Sequence, residues 1–164
     1  MRIADYLAPS AVILRLQGHD RDEVLAELST ALQGRATSGR GELFNALRAR
    51  EEIGTTALED GVAIPHCRLA NLSDISVAVG LAPEGVAFSP EGGAPSRIFF
   101  AVAAPPDTKG LHLKVLARLS KLLRQPAVRE AMLGAGDAKQ LNDIINTADA
   151  ALDDETSRRL RPGL

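Results

Sequence analysis

This 164-residue chain has no tryptophan, and aromatic residues make up only 3% of it. That excludes the stacking platforms on which single-stranded nucleic acid is held, and it requires a core built from aliphatic side chains. Charge of one sign is missing too. The formal net charge is -2, so nothing draws the chain as a whole toward nucleic acid. Cysteine occurs once, as Cys67, which excludes an intrachain disulfide and a thiolate zinc cluster and suits a reducing cytoplasm. No apolar run approaches the roughly 20 residues needed to cross a bilayer. The opening Met1-Arg2-Ile3-Ala4-Asp5-Tyr6-Leu7 lacks the apolar stretch and small-residue cleavage site of a signal peptide. The expectation is a cytoplasmic protein without membrane insertion.

What is present is an ordinary globular composition, 45% hydrophobic and 24% charged, long enough for one domain with a sizeable core. Val12 to Leu16 reads as a strand. Asp20 then caps a helix, with Glu23 completing a capping box and Val24, Leu25, Leu28, Ala31 and Leu32 on one face. A second helix starts near Thr37-Ser38-Gly39, turns Leu43, Phe44 and Leu47 inward, and ends near Ile53-Gly54. Strands follow at Val62–Ile64, Ile75–Leu81 and Ile98–Ala103, with a short one near Val86–Phe88. Helices follow at Gly110–Leu123, Ala127–Leu133 and Ala138–Ile145. Strands alternating with helices indicate an α/β domain whose sheet is covered on both faces. The turns Ser73-Asp74 and Pro83-Glu84-Gly85 make that sheet mixed rather than all-parallel. The domain spans residues 1–150, and the charged segment 151–164 is expected to fray as a tail.

Three histidines are present. His19 stands beside a helix cap with no motif around it. His66 follows the apolar run Gly61-Val62-Ala63-Ile64-Pro65, at the end of a strand. An imidazole there suits a nucleophile, a proton shuttle or a metal ligand. His112 opens an amphipathic helix and lies within its apolar arc of Leu111, Val115, Leu116, Leu119, Leu122 and Leu123. Lys114, Arg118 and Lys121 occupy the opposite face. At a helix N-terminus the dipole favours an anion and disfavours imidazolium. Arg50 falls in register with Leu43 and Leu47, which brings its guanidinium to the surface beside the core.

Arg50, Glu51, Gly54, Thr55 and Thr56, shortly before the histidine strand, supply a guanidinium, hydroxyls and loop amides. Together with two imidazoles this is the set that phosphoryl transfer to a histidine nitrogen requires. A reactive phosphoramidate donor needs no magnesium, so no cofactor is expected. Each residue also has a plainer use: a hydrogen-bonded structural histidine, an arginine offsetting a helix dipole, threonines capping a turn. Cys67 is adjacent to His66 on a strand and so faces away from it, which argues against a Cys/His pair. A zinc site on His66 and His112 would need a third ligand such as Glu59 or Asp60.

Arg50-Glu51-Glu52-Ile53-Gly54-Thr55-Thr56 and Gly61-Val62-Ala63-Ile64-Pro65-His66 resemble the signature of the fructose/mannitol class of enzyme IIA. These are components of the bacterial phosphoenolpyruvate-dependent phosphotransferase system. The stretch Ala104-Pro105-Pro106 through Gly110-Leu111-His112-Leu113 is similar to the family's second-histidine helix, and the likeness runs from about residue 3 to 147. It implies a single three-layer α/β/α domain. His66 would accept a phosphoryl group from the phosphohistidine of an HPr-like carrier, His112 would support its charge, and Arg50 with Thr56 would help to hold it. The partners beyond the carrier would be a IIB component or regulatory target proteins. With no IIB-like cysteine domain and no membrane segment in the sequence, the resemblance is strongest to the nitrogen-regulatory type. Departures fall in the link, where Ala57-Leu58-Glu59-Asp60 replaces a glycine-rich stretch, at Cys67 after the histidine, and at Thr55 in place of serine. Glu59 and Asp60 would repel a phosphate and are expected to face solvent.

Overall fold

A computed structural model describes residues 1–32 and 41–160. Five strands and five helices occur among them: β1 Leu7–Ile13, α1 Arg21–Leu32, α2 Glu42–Ile53, β2 Val62–Ala63, β3 His66–Arg68, β4 Ser76–Val86, β5 Ser96–Ala104, α3 Leu111–Leu123, α4 Pro126–Leu133 and α5 Ala138–Arg159. The start expected for the second helix, at residues 37–39, lies outside the described residues. Asp20 accepts the Glu23 amide at 2.9 Å, as an N-cap does, while the Glu23 carboxylate takes the amide of His19 at 2.7 Å. The first strand lies earlier than Val12–Leu16, because Leu7, Ala11 and Val12 supply its buried positions.

The sheet is mixed, as expected. Its order is β1-β4-β5-β2, with β3 also pairing with β5. β4 and β5 are antiparallel; β1 runs parallel to β4, and β2 and β3 run parallel to β5. Every residue of β5 from Ile98 to Ala104 is buried, which fits a central strand covered on both faces. α1 and α2 form one layer over the sheet, and α3, α4 and α5 the other. The core is aliphatic apart from Phe88, Phe99 and Phe100, the first two meeting edge to face at 5.3 Å.

The last helix departs from expectation. It continues past Ile145 to Arg159, and Asp149 and Leu152 within that extension are 1% and 2% exposed. The segment expected to fray therefore begins as packed helix, and residues 161–164 lie outside the described range. Leu152 packs into the core, and an ionic network adds to that hold. Asp149 accepts Arg118 Nε–H at 2.5 Å and the Ile3 amide at 2.7 Å, and Arg118 also reaches Asp153 at 3.0 Å. Arg118 is thus half-buried against α5 rather than turned to water with Lys114 and Lys121. No helix among the described residues is long and apolar enough to cross a membrane.

Candidate functional site

Pro65 interrupts the strand that leads to His66. Val62–Ala63 and His66–Arg68 are separate short strands that align on β5, so His66 opens the second strand instead of ending the first. The Pro65 carbonyl accepts the Val102 amide at 2.9 Å and keeps the two pieces on one edge. Along β3 the side chains alternate. Cys67 is buried in the core, and burial pushes its thiol up to about 12, while His66 and Arg68 share the other face. The Cys67 thiol therefore stays protonated and apart from His66.

The His66 ring is fixed by its own backbone. Its Nδ1 lies 2.8 Å from the Ile64 carbonyl, which can only accept, so Nδ1 carries the proton and Nε2 keeps its lone pair. Burial lowers the pKa of His66, with the Ile64 bond and Glu51 opposing that shift and the Arg50 and Arg68 guanidinium charges adding to it. A neutral imidazole with a free Nε2 is the form that attacks an electrophile.

His112 is brought in by the segment that follows β5. Lys109 and Gly110, at φ 52° and 82°, turn the chain out of β5 and into α3. The Thr108 hydroxyl accepts the His112 amide at 3.3 Å. The two imidazole rings meet edge to face with centroids 5.8 Å apart. His112 is 3% exposed, Arg68 Nε–H donates to its Nδ1 at 3.3 Å, and its buried Nε2 has no hydrogen-bond partner. Burial pushes its pKa from 6.5 down to about 4, with the nearby His66 and Arg68 charges acting in the same direction. The unfolded chain therefore binds a proton on His112 that the folded chain refuses. For this group, stability should be intact above pH 6.5 and fall as the pH drops from there toward 4. Urea titrations across that range check this, and the His112→Ala variant should show a shallower decline.

The Arg50–Thr56 segment is organised around a residue that the sequence reading named without giving it a role of its own. Glu51 is 2% exposed and accepts the Thr56 amide and the Thr56 hydroxyl, both at 2.6 Å, together with the Thr55 hydroxyl at 3.2 Å. The Thr56 carbonyl in turn accepts the Ile64 amide at 3.1 Å. A chain of hydrogen bonds thus runs from Glu51 through Thr56 and Ile64 to Nδ1 of His66. The Thr56 hydroxyl proton is directed at Glu51. Arg50 Nη1–H donates to the Gly54 carbonyl at 3.0 Å, and its charge reaches His66. Glu51→Ala would strand the buried Thr56 donors. We expect a loss of about 2–4 kcal/mol in urea unfolding, with Glu51→Gln costing less because it retains one acceptor oxygen.

The acidic link is a tight reversal. Ala57 bridges Ala63, the Leu58 amide donates to the Val62 carbonyl at 2.7 Å, and Asp60 and Gly61 turn the chain at φ 65° and 74°. Glu59 and Asp60 are exposed, and Asp60 lies 3.9 Å from Arg129. No three His, Cys, Asp or Glu side chains among the described residues come together as a metal-binding group. His19 lies at the start of α1, apart from the site. The missed residues differ in how they could have been found. Arg68 had a signal in the two-residue period of a strand through His66, whereas Glu51 was hidden in a charged Arg-Glu-Glu run.

Comparison with known proteins shows the family. The sequence model of the phosphoenolpyruvate-dependent sugar phosphotransferase system EIIA 2 family matches residues 5–148. A nitrogen regulatory protein of Bradyrhizobium diazoefficiens is 30% identical over 145 residues, covering 88% of this chain and 95% of that protein. A fructose-specific EIIABC component of Bacillus subtilis is also 30% identical, over 91% of this chain but only 24% of its own length. The crystal structure of nitrogen regulatory protein IIA-Ntr from Neisseria meningitidis superposes with a TM-score of 0.81 at 29% identity, covering 87% of this chain and 98% of that one. The mannitol IIA of Escherichia coli, at 20% identity and a TM-score of 0.73, shares the fold. The chain belongs to the EIIA 2 family of the phosphoenolpyruvate-dependent sugar phosphotransferase system.

Proposed function

We propose that His66 accepts a phosphoryl group from the phosphohistidine of an HPr-like carrier, and that the phosphorylated state of this protein carries a regulatory signal. The observation that carries this reading is the pair of complementary imidazoles. His66 holds its proton on Nδ1 and offers Nε2, while His112, 5.8 Å away between ring centroids, has a buried nitrogen free to bond a new group.

In the transfer the His66 Nε2 lone pair forms the new N–P bond. The P–N bond to the carrier breaks, and its electron pair returns to the carrier's imidazole. The His66 ring gains positive character, and the Ile64 carbonyl stabilises the proton on Nδ1. Arg50, whose field already reaches His66, favours the dianion, and His112 donates Nε2–H to it. Thr56 acts with Glu51 as the backbone anchor of that arrangement. Glu59 and Asp60 are turned to solvent, where they do not oppose the phosphate.

The nitrogen-regulatory reading is supported by relatives of that name that this chain matches nearly end to end. In that reading the protein works in the cytoplasm, and its targets are proteins that distinguish its two phosphorylation states. The fructose-specific relative keeps a second reading open, in which the phosphate moves on to a IIB component. Incubation with enzyme I, an HPr-type carrier and labelled phosphoenolpyruvate tests the shared claim. Acid-labile label on the protein is expected, and its absence contradicts the proposal. Loss of that label to an added IIB protein, rather than its retention, would favour the sugar reading.

A further inference from the structure

Nothing in the transfer chemistry above requires Arg68, yet its guanidinium donates to His112. We propose that Arg68 is a positioning residue of the phosphoryl site: its bond to Nδ1 of His112 keeps the proton of that ring on Nε2, available to the phosphoryl group on His66. This rests on His66 being the acceptor.

The argument begins with what a guanidinium can do. It has N–H donors and no acceptor, so the nitrogen it bonds must offer a lone pair. Arg68 Nε lies 3.3 Å from Nδ1 of His112, and in a neutral imidazole the proton must then sit on Nε2. The other tautomer would set N–H against N–H. That Nε2–H is buried and unpartnered, a costly arrangement for a donor unless something else completes it. A phosphoryl oxygen on the neighbouring ring would complete it.

The fold explains why one short strand can do both jobs. His66 and Arg68 are two residues apart on β3 and so project to the same side, with Cys67 opposite. Parallel pairing with β5 fixes both, His66 opposite Val102 and Arg68 opposite Ala104. The same strand β5 leads through the Lys109–Gly110 turn to His112. Arg68 thus links the acceptor strand to the helix that carries the donor.

Two substitutions separate hydrogen bonding from charge. Arg68→Gln keeps an N–H donor without the charge, and Arg68→Met removes both. Two-bond ¹H–¹⁵N correlation spectra of ¹⁵N-histidine-labelled protein near neutral pH report the His112 tautomer directly. We expect Nε2–H in the wild type and in Arg68→Gln, and a shift toward Nδ1–H in Arg68→Met. In parallel, transfer from a phosphorylated HPr-type carrier should slow by about tenfold in Arg68→Met, the scale of one charge-assisted hydrogen bond, and recover in Arg68→Gln. An Arg68→Met variant unchanged in either readout overturns the proposal, as does Arg68→Gln transferring as slowly as Arg68→Met. A wild type that takes no label refutes the phosphoryl reading itself. A labelled wild type with equal rates in all three proteins refutes only the role of Arg68.

Discussion

We expect His66→Ala to give a folded protein that takes up no acid-labile phosphate from an HPr-type carrier. The effect is complete because the new bond is made to the imidazole that the substitution deletes, and no neighbour can replace it. Cys67 is turned into the core with its thiol pushed up to about 12. His112 has its Nδ1 occupied by Arg68 and a buried, protonated Nε2. The fold survives because the His66 side chain is only half-buried and its one hydrogen bond is local, to the Ile64 carbonyl two residues back. Unfolding by urea should place the variant within about 1 kcal/mol of wild type, the scale of one intramolecular hydrogen bond. Label remaining on His66→Ala would move the acceptor elsewhere.

The largest loss of stability is expected far from His66, at Asp149. This carboxylate is 1% exposed and joins three parts of the chain: it takes the Ile3 amide near the N-terminus and Arg118 Nε–H from α3, while itself lying on α5. Arg118 donates a second time to the Asp149 carbonyl at 2.9 Å and is 15% exposed. Asp149→Ala would leave a largely buried guanidinium short of its main counter-charge and a buried amide unpaired. We expect a cost of about 3–5 kcal/mol in denaturant unfolding, the range for breaking one side of a buried ion pair. Asp153, half-exposed and shared with Arg2 at 2.7 Å, is a lesser partner, and Asp153→Ala should cost far less than Asp149→Ala. If Asp149→Ala costs no more than Asp153→Ala, the network does not hold the C-terminal helix.

These two sites also mark what was and was not legible in the sequence. His66 and His112 stood out because each combines a reactive side chain with a local pattern, an apolar run ending in proline for one and an amphipathic helix start for the other. The mixed sheet followed from turn residues between β-branched runs. Asp149 gave no such signal. On its own it belongs to a polar, weakly amphipathic stretch, and only its meeting with Arg118, 31 residues away, makes burial favourable. The same pairing turned Arg118 from an expected solvent residue into a half-buried one and accompanies the extension of α5 beyond its expected end. Glu51 was concealed for a related reason. Its neighbour Glu52 is exposed, and a one-dimensional pattern cannot say which of two adjacent carboxylates turns inward to meet Thr56. Long-range polar pairs were the illegible part; local periodicity and backbone chemistry were the legible part.

The link before His66 sharpens the same point. Ala57-Leu58-Glu59-Asp60 lacks the flexibility of glycine, yet it closes a tight reversal because Asp60 and Gly61 both adopt positive φ. The acidic side chains then project to solvent. The acidic link thus alters an exposed surface while the Ile64 amide stays bonded to the Thr56 carbonyl just ahead of His66.

The measurement that bears most directly on the whole account is identification of the phosphorylated nitrogen. Protein phosphorylated through the carrier, with ¹⁵N-labelled histidine, should show phosphorus coupled to Nε2 of His66, with the Nδ1 proton retained and protected from exchange by the Ile64 carbonyl. Phosphate on Nδ1 of His66, or on His112 or any other residue, would contradict it.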